Sequence, residues 1–395
     1  MSQPADFDRT THLLPTTNAR DPTTAAREVI VDCDIHNAPA SERALERYLP
    51  KRWRLSATSG LDPAVASRRL MLVDRSYLGC DYPRPTSRAA RVDAWPPGGG
   101  PPASDLDFMR AQLLDRYGIA YGLLNPLTGA GEELDTERGA ELARAVNDWL
   151  VDEWLEREPR LRSSIVVAYE DGELAAREIH RHGDDPRFVQ VLLLARTAEP
   201  LGRRRYWPIY EAAVEHDLPV GVHFGGWSRG PNTASGFGSF YVEETVGMAA
   251  SFQEQVTSLV CEGIFERFPR LRVVLIEGGL AWLAPLMWRL DRAWRLLREH
   301  APRLQRPPSE VIREHVWLTT QPIEEPPRER QLAELIDQLG IDGQIMFSSD
   351  YPHWDFDAPD RALPRVLAPG LRERIMGTNA QRCYRLGALE VPAAA

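Results

Sequence analysis

The chain has 395 residues, a net charge of −10 and an ordinary apolar share of 43%. No apolar run approaches the roughly 18 residues that a membrane-spanning helix needs, and no basic run stands apart from acids to grip nucleic acid. Small-molecule chemistry is what remains, and the length fits one α/β barrel with insertions, since such barrels use about 250 residues or more as a single unit.

Residues 1–25 mix acids with arginine and lack the basic start and apolar stretch of a secretory leader, so an N-terminal arm is expected there, followed by one barrel domain over 26–390. Cys33, Cys80, Cys261 and Cys383 show no CxxC spacing, which favours neither a zinc knuckle nor a disulfide framework and points to the cytoplasm. Short β-branched runs, each followed by a helical pattern, predict parallel strands. In chain order they are Val29–His36, Ala120–Asn125, Ile165–Tyr169, Phe188–Leu194, Pro219–Phe224, Arg272–Glu277, His315–Thr320 and Gln344–Asp350. Eight successive βα units are the number at which a parallel sheet closes, so the fold class is an α/β protein, a (β/α)8 TIM barrel. Two connections are too long to be plain turns: about 51–104 after the first strand and 225–246 after the fifth. Both emerge at the C-terminal face, where barrel active sites sit, and are expected to act as lids.

Asp32, Asp34 and His36 alternate along the first strand, so a period of two places them on one side of the pleat. His223 closes the fifth strand, Glu277 the sixth and Asp350 the eighth. Any one of these has a plain structural explanation: a strand-end histidine packs or caps, and Asp350 before Tyr351-Pro352 starts a turn. Together, at the ends of strands running the same way, they point to one metal held by Asp34, His36, His223 and Asp350. Two imidazoles and two carboxylates suit zinc, manganese or iron without choosing among them, and zinc is the first expectation. His353 and Asp355 follow the eighth strand closely enough to orient a ligand or to cap the next helix. Trp282, Trp288 and Trp294, six apart, are expected to pack. No glycine-rich phosphate loop follows a strand, so no nucleotide cofactor is implied.

The segments VDCDIH, DLDFMRAQLLDRYGIAYGLLNPL, YWPIYEAAVEHDLPVGVH, FERFPRLRVVLIEGG, FSSDYPHWD and GTNAQRCYRL run collinearly from about residue 29 to 386. In them the chain resembles the amidohydrolase-related family that contains aminocarboxymuconate semialdehyde decarboxylase. The resemblance implies a metal-dependent barrel enzyme with Asp34 and His36 as the first-strand metal pair, His223 as the fifth-strand ligand, and Asp350 binding metal and handling a proton. The first-strand pair is Asp-x-His where many relatives have His-x-His or Glu-x-His, and Glu277 stands where the decarboxylases place a catalytic histidine. Some members of the wider superfamily bridge two metals with a carboxylated lysine; Lys51, the only lysine, lies outside every expected strand, so a mononuclear centre is expected. The resemblance also suggests a homodimer.

Two reactions follow. As a non-oxidative decarboxylase of an aromatic or unsaturated acid, the enzyme would protonate the carbon that loses carbon dioxide from Asp350 or Glu277. As a hydrolase, it would use metal-activated water, with Asp350 as general base and Glu277 or His353 assisting the leaving group. Decarboxylation is the favoured expectation. Arg75, Arg84, Arg91 and Arg229 in the lids are candidates for a substrate carboxylate, although most arginines are simply solvated. Trp53, Trp95, Trp227, Phe237, Phe240 and Tyr241 give the same lids an aromatic content that suits either a planar small-molecule substrate or packing.

Overall fold

The computed structural model describes residues 29–54, 89–226, 236 and 238–388. The expected arm at 1–25 and the inner parts of both insertions lie outside these residues, as do Arg75, Arg84, Arg229, Trp227 and Phe237. Eight strands form one sheet in sequence order, each parallel to its neighbour: β1 (Ile30–Ile35), β2 (Ile119–Leu124), β3 (Leu161–Val166), β4 (Phe188–Leu194), β5 (Val220–His223), β6 (Val273–Ile276), β7 (Val316–Thr319) and β8 (Ile345–Met346). Strands covered on both faces read as continuous apolar runs, and β4, FVQVLLL, is buried at every position.

The ring is drawn together between β1 and the chain after β8. Cys33 N–H donates to the Phe347 carbonyl (3.0 Å), Asp350 N–H to Asp34 (3.1 Å), and His36 N–H to Tyr351 (2.7 Å). One core cluster contains Val31, Cys33, Leu123, Val189, Val274, Ile276 and Met346. They come from β1, β2, β4, β6 and β8, strands on different sides of the ring, and so they meet across the barrel lumen. The helix Asn379–Tyr384 adds Ala380, Cys383 and Tyr384 to that cluster and bonds to the start of β8 through Asn379, whose Nδ2 donates to the Ile345 carbonyl at 2.8 Å. It thereby closes the end opposite the strand C-termini. A larger cluster joins the outer strand faces to the surrounding helices.

The helices start where the sequence supplies caps. Asp135 accepts from Arg138 N–H (3.2 Å) ahead of the helix Thr136–Leu150, and Asp171 from Leu174 N–H (3.0 Å) ahead of Gly172–His182. Gly340, at φ 66°, ends the helix Glu329–Leu339 in the left-handed region that glycine enters freely.

Three expectations need correction. The third strand begins at Leu161, not Ile165, because Ser163 and Ser164 are buried and paired within it, their hydroxyls donating at 3.2 Å to the Leu124 carbonyl and at 2.6 Å to Asn125 Oδ1. The eighth strand stops at Met346: beyond it side chains take over the ladder, Thr320 Oγ1 accepting from Ser348 N–H (3.1 Å) and Asp32 Oδ1 from Ser349 N–H (2.9 Å). The three tryptophans do not all pack. Trp282 stacks on Phe252 and Trp294 bonds to the Leu304 carbonyl, but Trp288 is 54% exposed. A step of six residues turns a helix by about 240°, so the three cannot share one face.

Candidate metal centre

The strand ends place the expected residues side by side. Asp34 lies in β1 and His36 just past its end; a register shift against β2 between Asp32 and Ile35 breaks the simple alternation. Val31 and Cys33 therefore pack in the lumen while Asp32 serves the backbone, its Oδ1 accepting from the N–H groups of Asp34 (3.3 Å) and Ser349 (2.9 Å). His223 is the last residue of β5, Glu277 follows β6, and Asp350 follows β8 by four residues. Glu277 (φ 60°) and Asp350 (φ 58°) both have left-handed backbones. Such a conformation costs a non-glycine residue on the order of 1 kcal/mol or more and aims each carboxylate away from its strand's own alternation.

A continuous line of contacts results. His353 Nδ1 lies 2.7 Å from Asp350 Oδ1, which lies 2.8 Å from His36 Nε2. His36 Nε2 is 3.5 Å from Asp34 Oδ1, and Asp34 Oδ2 is 3.3 Å from His223 Nε2. His223 Nε2 is also 3.3 Å from Glu277 Oε2. The ligand atoms of Asp34, His36 and His223 lie within 4.8 Å of one another, as do those of His36, Asp350 and His353. Two groups thus overlap at His36, and His353 stands within hydrogen-bond distance of Asp350, where an orienting partner would be.

The donor set fits a cation. Asp34 Oδ2, His223 Nε2 and Asp350 Oδ2 are buried with no hydrogen-bond partner, an arrangement that costs about 1–3 kcal/mol per group unless something else satisfies it. The tautomers fit as well: His36 Nδ1–H donates to the Asn125 carbonyl (2.8 Å) and His223 Nδ1–H to that of Phe224 (2.6 Å), leaving both Nε2 atoms as lone pairs for a metal.

Electrostatics divides the groups. Burial by itself would raise the carboxyls of Asp34 and Asp350, but imidazoles outweigh it, His36 and His223 at Asp34, His353 and His36 at Asp350, and hold both below the usual range. Burial would discharge His36, yet the carboxylates of Asp34 and Asp350 push it up to about 9. Glu277 goes the other way. Burial first, then the charges of Asp350, Asp355, Asp34 and Glu244, raise its carboxyl well above the ordinary value. Asp355 is pushed up to about 6 and Asp357 to about 7, mainly by burial.

Around this centre the two insertions meet the chain after β8. Ala90 pairs with His353, Trp354 N–H donates to the Ala89 carbonyl (2.8 Å), and Trp354 Nε1 donates to the Tyr241 hydroxyl (3.2 Å). Arg91, a candidate for substrate binding, is engaged otherwise: it forks onto Asp93 (2.9 and 2.6 Å) and stacks over Phe356. Trp95 and Phe240 are 40% and 64% exposed. The sequence reading passed over Asn125, Ser164 and Gln190. Gln190 carried a usable signal, a lone amide inside the apolar run FVQVLLL.

The sequence profile of the family described as Amidohydrolase matches residues 31–386. The chain belongs to that family. This amidohydrolase is 29% identical over 306 residues to gamma-resorcylate decarboxylase of Polaromonas sp. (strain JS666), covering 71% of this chain and 88% of the relative. Two of the solved structures that share its fold are decarboxylases. One is dihydroxybenzoic acid decarboxylase from the same Polaromonas strain, with bound manganese and the inhibitor 2-nitroresorcinol (TM-score 0.61, 22% identity, 91% of this chain and 97% of that one). The other is 5-carboxyvanillate decarboxylase from Novosphingobium aromaticivorans, complexed with manganese and 4-hydroxy-3-methoxy-5-nitrobenzoic acid (TM-score 0.63, 20% identity, 91% and 96%). Both hold manganese, so the expectation of zinc has no support over manganese. Among the described residues no helix is long and apolar enough to cross a membrane.

Proposed function

We propose that the protein is a metal-dependent, non-oxidative decarboxylase of a hydroxylated aromatic acid, with Asp34, His36, His223 and Asp350 holding one divalent ion and Glu277 donating the proton. The observation that carries this is the Glu277 carboxyl, buried and raised well above its ordinary value, beside buried ligand atoms that lack partners. When bound, a divalent ion supplies positive charge that holds and orients a substrate carboxylate and the oxygen next to it. Glu277 then gives its proton to the ring carbon that bears the carboxylate. The bond to the carboxylate breaks, its electron pair restores the ring, carbon dioxide leaves, and Glu277 regains a proton from solvent. His353, at 2.7 Å from Asp350, keeps that carboxylate oriented. The names of the relatives agree with this class of substrate. A hydrolase would need Asp350 as general base, and a carboxylate held low by two imidazoles is a weak one.

The donor set leaves zinc, manganese and iron open, and the two manganese-bearing relatives favour manganese as the first ion to test. Lys51 is exposed in a short 3-10 helix, in keeping with a mononuclear site. A homodimer would find apolar surface on the helix Leu283–Leu297, where Trp288, Leu296 and Leu297 are exposed; sedimentation velocity tests it. Cys33, Cys261 and Cys383 are free thiols, as a reducing cytoplasm would leave them.

The deciding experiment incubates manganese-loaded protein with dihydroxybenzoates and carboxylated methoxyphenols and records carbon dioxide. Release is expected, and Glu277→Gln should reduce turnover by roughly 10²–10⁴-fold with metal content unchanged. Hydrolysis of amides or lactones without carbon dioxide release would overturn the assignment.

A further inference from the structure

Behind Asp34 lies a buried polar chain that the reaction does not itself use. The Tyr384 hydroxyl donates to Gln190 Oε1 (3.1 Å), and Gln190 Nε2 donates to Ser164 Oγ (2.8 Å) and more distantly to Asn125 Oδ1 (3.3 Å). The Ser164 hydroxyl donates to Asn125 Oδ1 (2.6 Å), and Asn125 Nδ2 donates to Asp34 Oδ1 (2.9 Å) and the Cys33 carbonyl (3.1 Å). The Asn125 backbone carbonyl accepts from His36 Nδ1–H at 2.8 Å. Asn125, Ser164 and Gln190 are fully buried, and Tyr384 is 5% exposed.

We infer that Tyr384, Gln190, Ser164 and Asn125 form a directional hydrogen-bond relay that positions both first-strand groups, Asp34 and His36, for the metal; this rests on the metal reading above. The direction follows from which atoms can donate. A hydroxyl proton from Tyr384 commits Gln190 Oε1 as an acceptor and turns its amide nitrogen to Ser164. Ser164, already accepting, spends its own proton on Asn125 Oδ1. Asn125 is left with only its Nδ2 facing Asp34. That bond occupies Oδ1 of Asp34 and leaves Oδ2, which has no partner, to face the metal beside His223. The same residue, through its carbonyl, keeps the His36 proton on Nδ1 and the lone pair on Nε2. The relay also explains Gly221 in β5: a Cβ there would lie 2.4 Å from the Gln190 amide carbon. It links the helix that plugs one end of the barrel to the chemistry at the other.

These four are positioning residues, and metal affinity separates that role from mere packing. Outer partners of this kind change metal affinity by about 10–100-fold when removed. The test uses full-length protein, measuring Mn²⁺ dissociation constants by chelator competition and melting of the metal-free form for wild type, Ser164→Ala, Tyr384→Phe and the double variant. Ser164→Ala and Tyr384→Phe each remove one oxygen, so both are expected to fold. Ser164→Ala should weaken Mn²⁺ binding by roughly tenfold and Tyr384→Phe by less, while both lower metal-free melting modestly through the Gln190 group left without its close partner. The double variant should bind no worse than Ser164→Ala, because a relay already broken cannot be broken again. Dissociation constants unchanged in the variants, beside a wild type that takes up one ion, would overturn the relay alone. No uptake by wild type would overturn the metal reading beneath it.

Discussion

His36 shows how one side chain can belong to two states. Its Nε2 faces Asp350 Oδ1 at 2.8 Å and Asp34 Oδ1 at 3.5 Å, and those carboxylates push its pKa up to about 9 despite burial. At neutral pH the metal-free site therefore holds a proton on the atom that an ion would take, and binding must expel it. Metal affinity should accordingly climb by about tenfold per pH unit as pH rises from 6 toward 9, and flatten above. Calorimetry in buffers of different ionisation enthalpy would count the proton released. A pH-independent affinity would mean that Nε2 is not the ligating atom. Glu277 differs from His36 in that burial and the charges of Asp350, Asp355, Asp34 and Glu244 all act on it in one direction, while His223 Nε2 stands 3.3 Å from its Oε2.

The segment after β8 is the element in which strain, charge and contact with both insertions coincide. Asp350 turns it through a left-handed backbone, Trp354 ties it to Ala89 and Tyr241, and Asp355 and Asp357 load it with acids. Asp357 is pushed up to about 7 by burial and by the charges of Asp355, Asp350 and Glu325, from an ordinary value of 3.8. Between these two values the folded state keeps a proton that the unfolded chain releases, so stability falls as pH rises from about 4 to about 7 and is level above. Asp355, raised to about 6, adds to the same slope. In chelator-treated protein, Asp357→Asn should flatten the decline in melting temperature between pH 5 and pH 8 and raise stability at pH 8 by roughly 1–2 kcal/mol after allowance for solvent screening at this partly exposed site. An unaltered slope would place the loss of stability with rising pH elsewhere.

Over the whole molecule, the barrel gathers at least four buried acidic side chains, Asp32, Asp34, Glu277 and Asp350, in a chain whose net charge is −10. A divalent ion would offset part of that repulsion and, by binding only the folded state, add about 4 kcal/mol when free Mn²⁺ stands about a thousandfold above its dissociation constant. Chelation should lower the melting temperature by several degrees and Mn²⁺ should restore it, whereas His223→Ala should melt alike with and without the ion. A wild type indifferent to chelation would remove the ion from the account of stability.

The strand-then-helix order of eight apolar runs was enough to determine the barrel, because period and polarity are local properties of a sequence and the closure of eight parallel units follows from geometry. The residues brought to one rim, Asp34, His36, His223, Glu277, Asp350 and His353, were legible for the same reason: each ends or follows a strand, and all the strands point one way. What only the tertiary structure decided was pairing across the barrel. The register shift that separates Asp32 from Asp34 depends on β2, the short eighth strand on side chains of β1 and β7, and the Asn125–Ser164–Gln190–Tyr384 chain on four elements far apart in sequence. A hydrogen bond needs its partner's position to about a few tenths of an ångström, and that information resides in the packed whole.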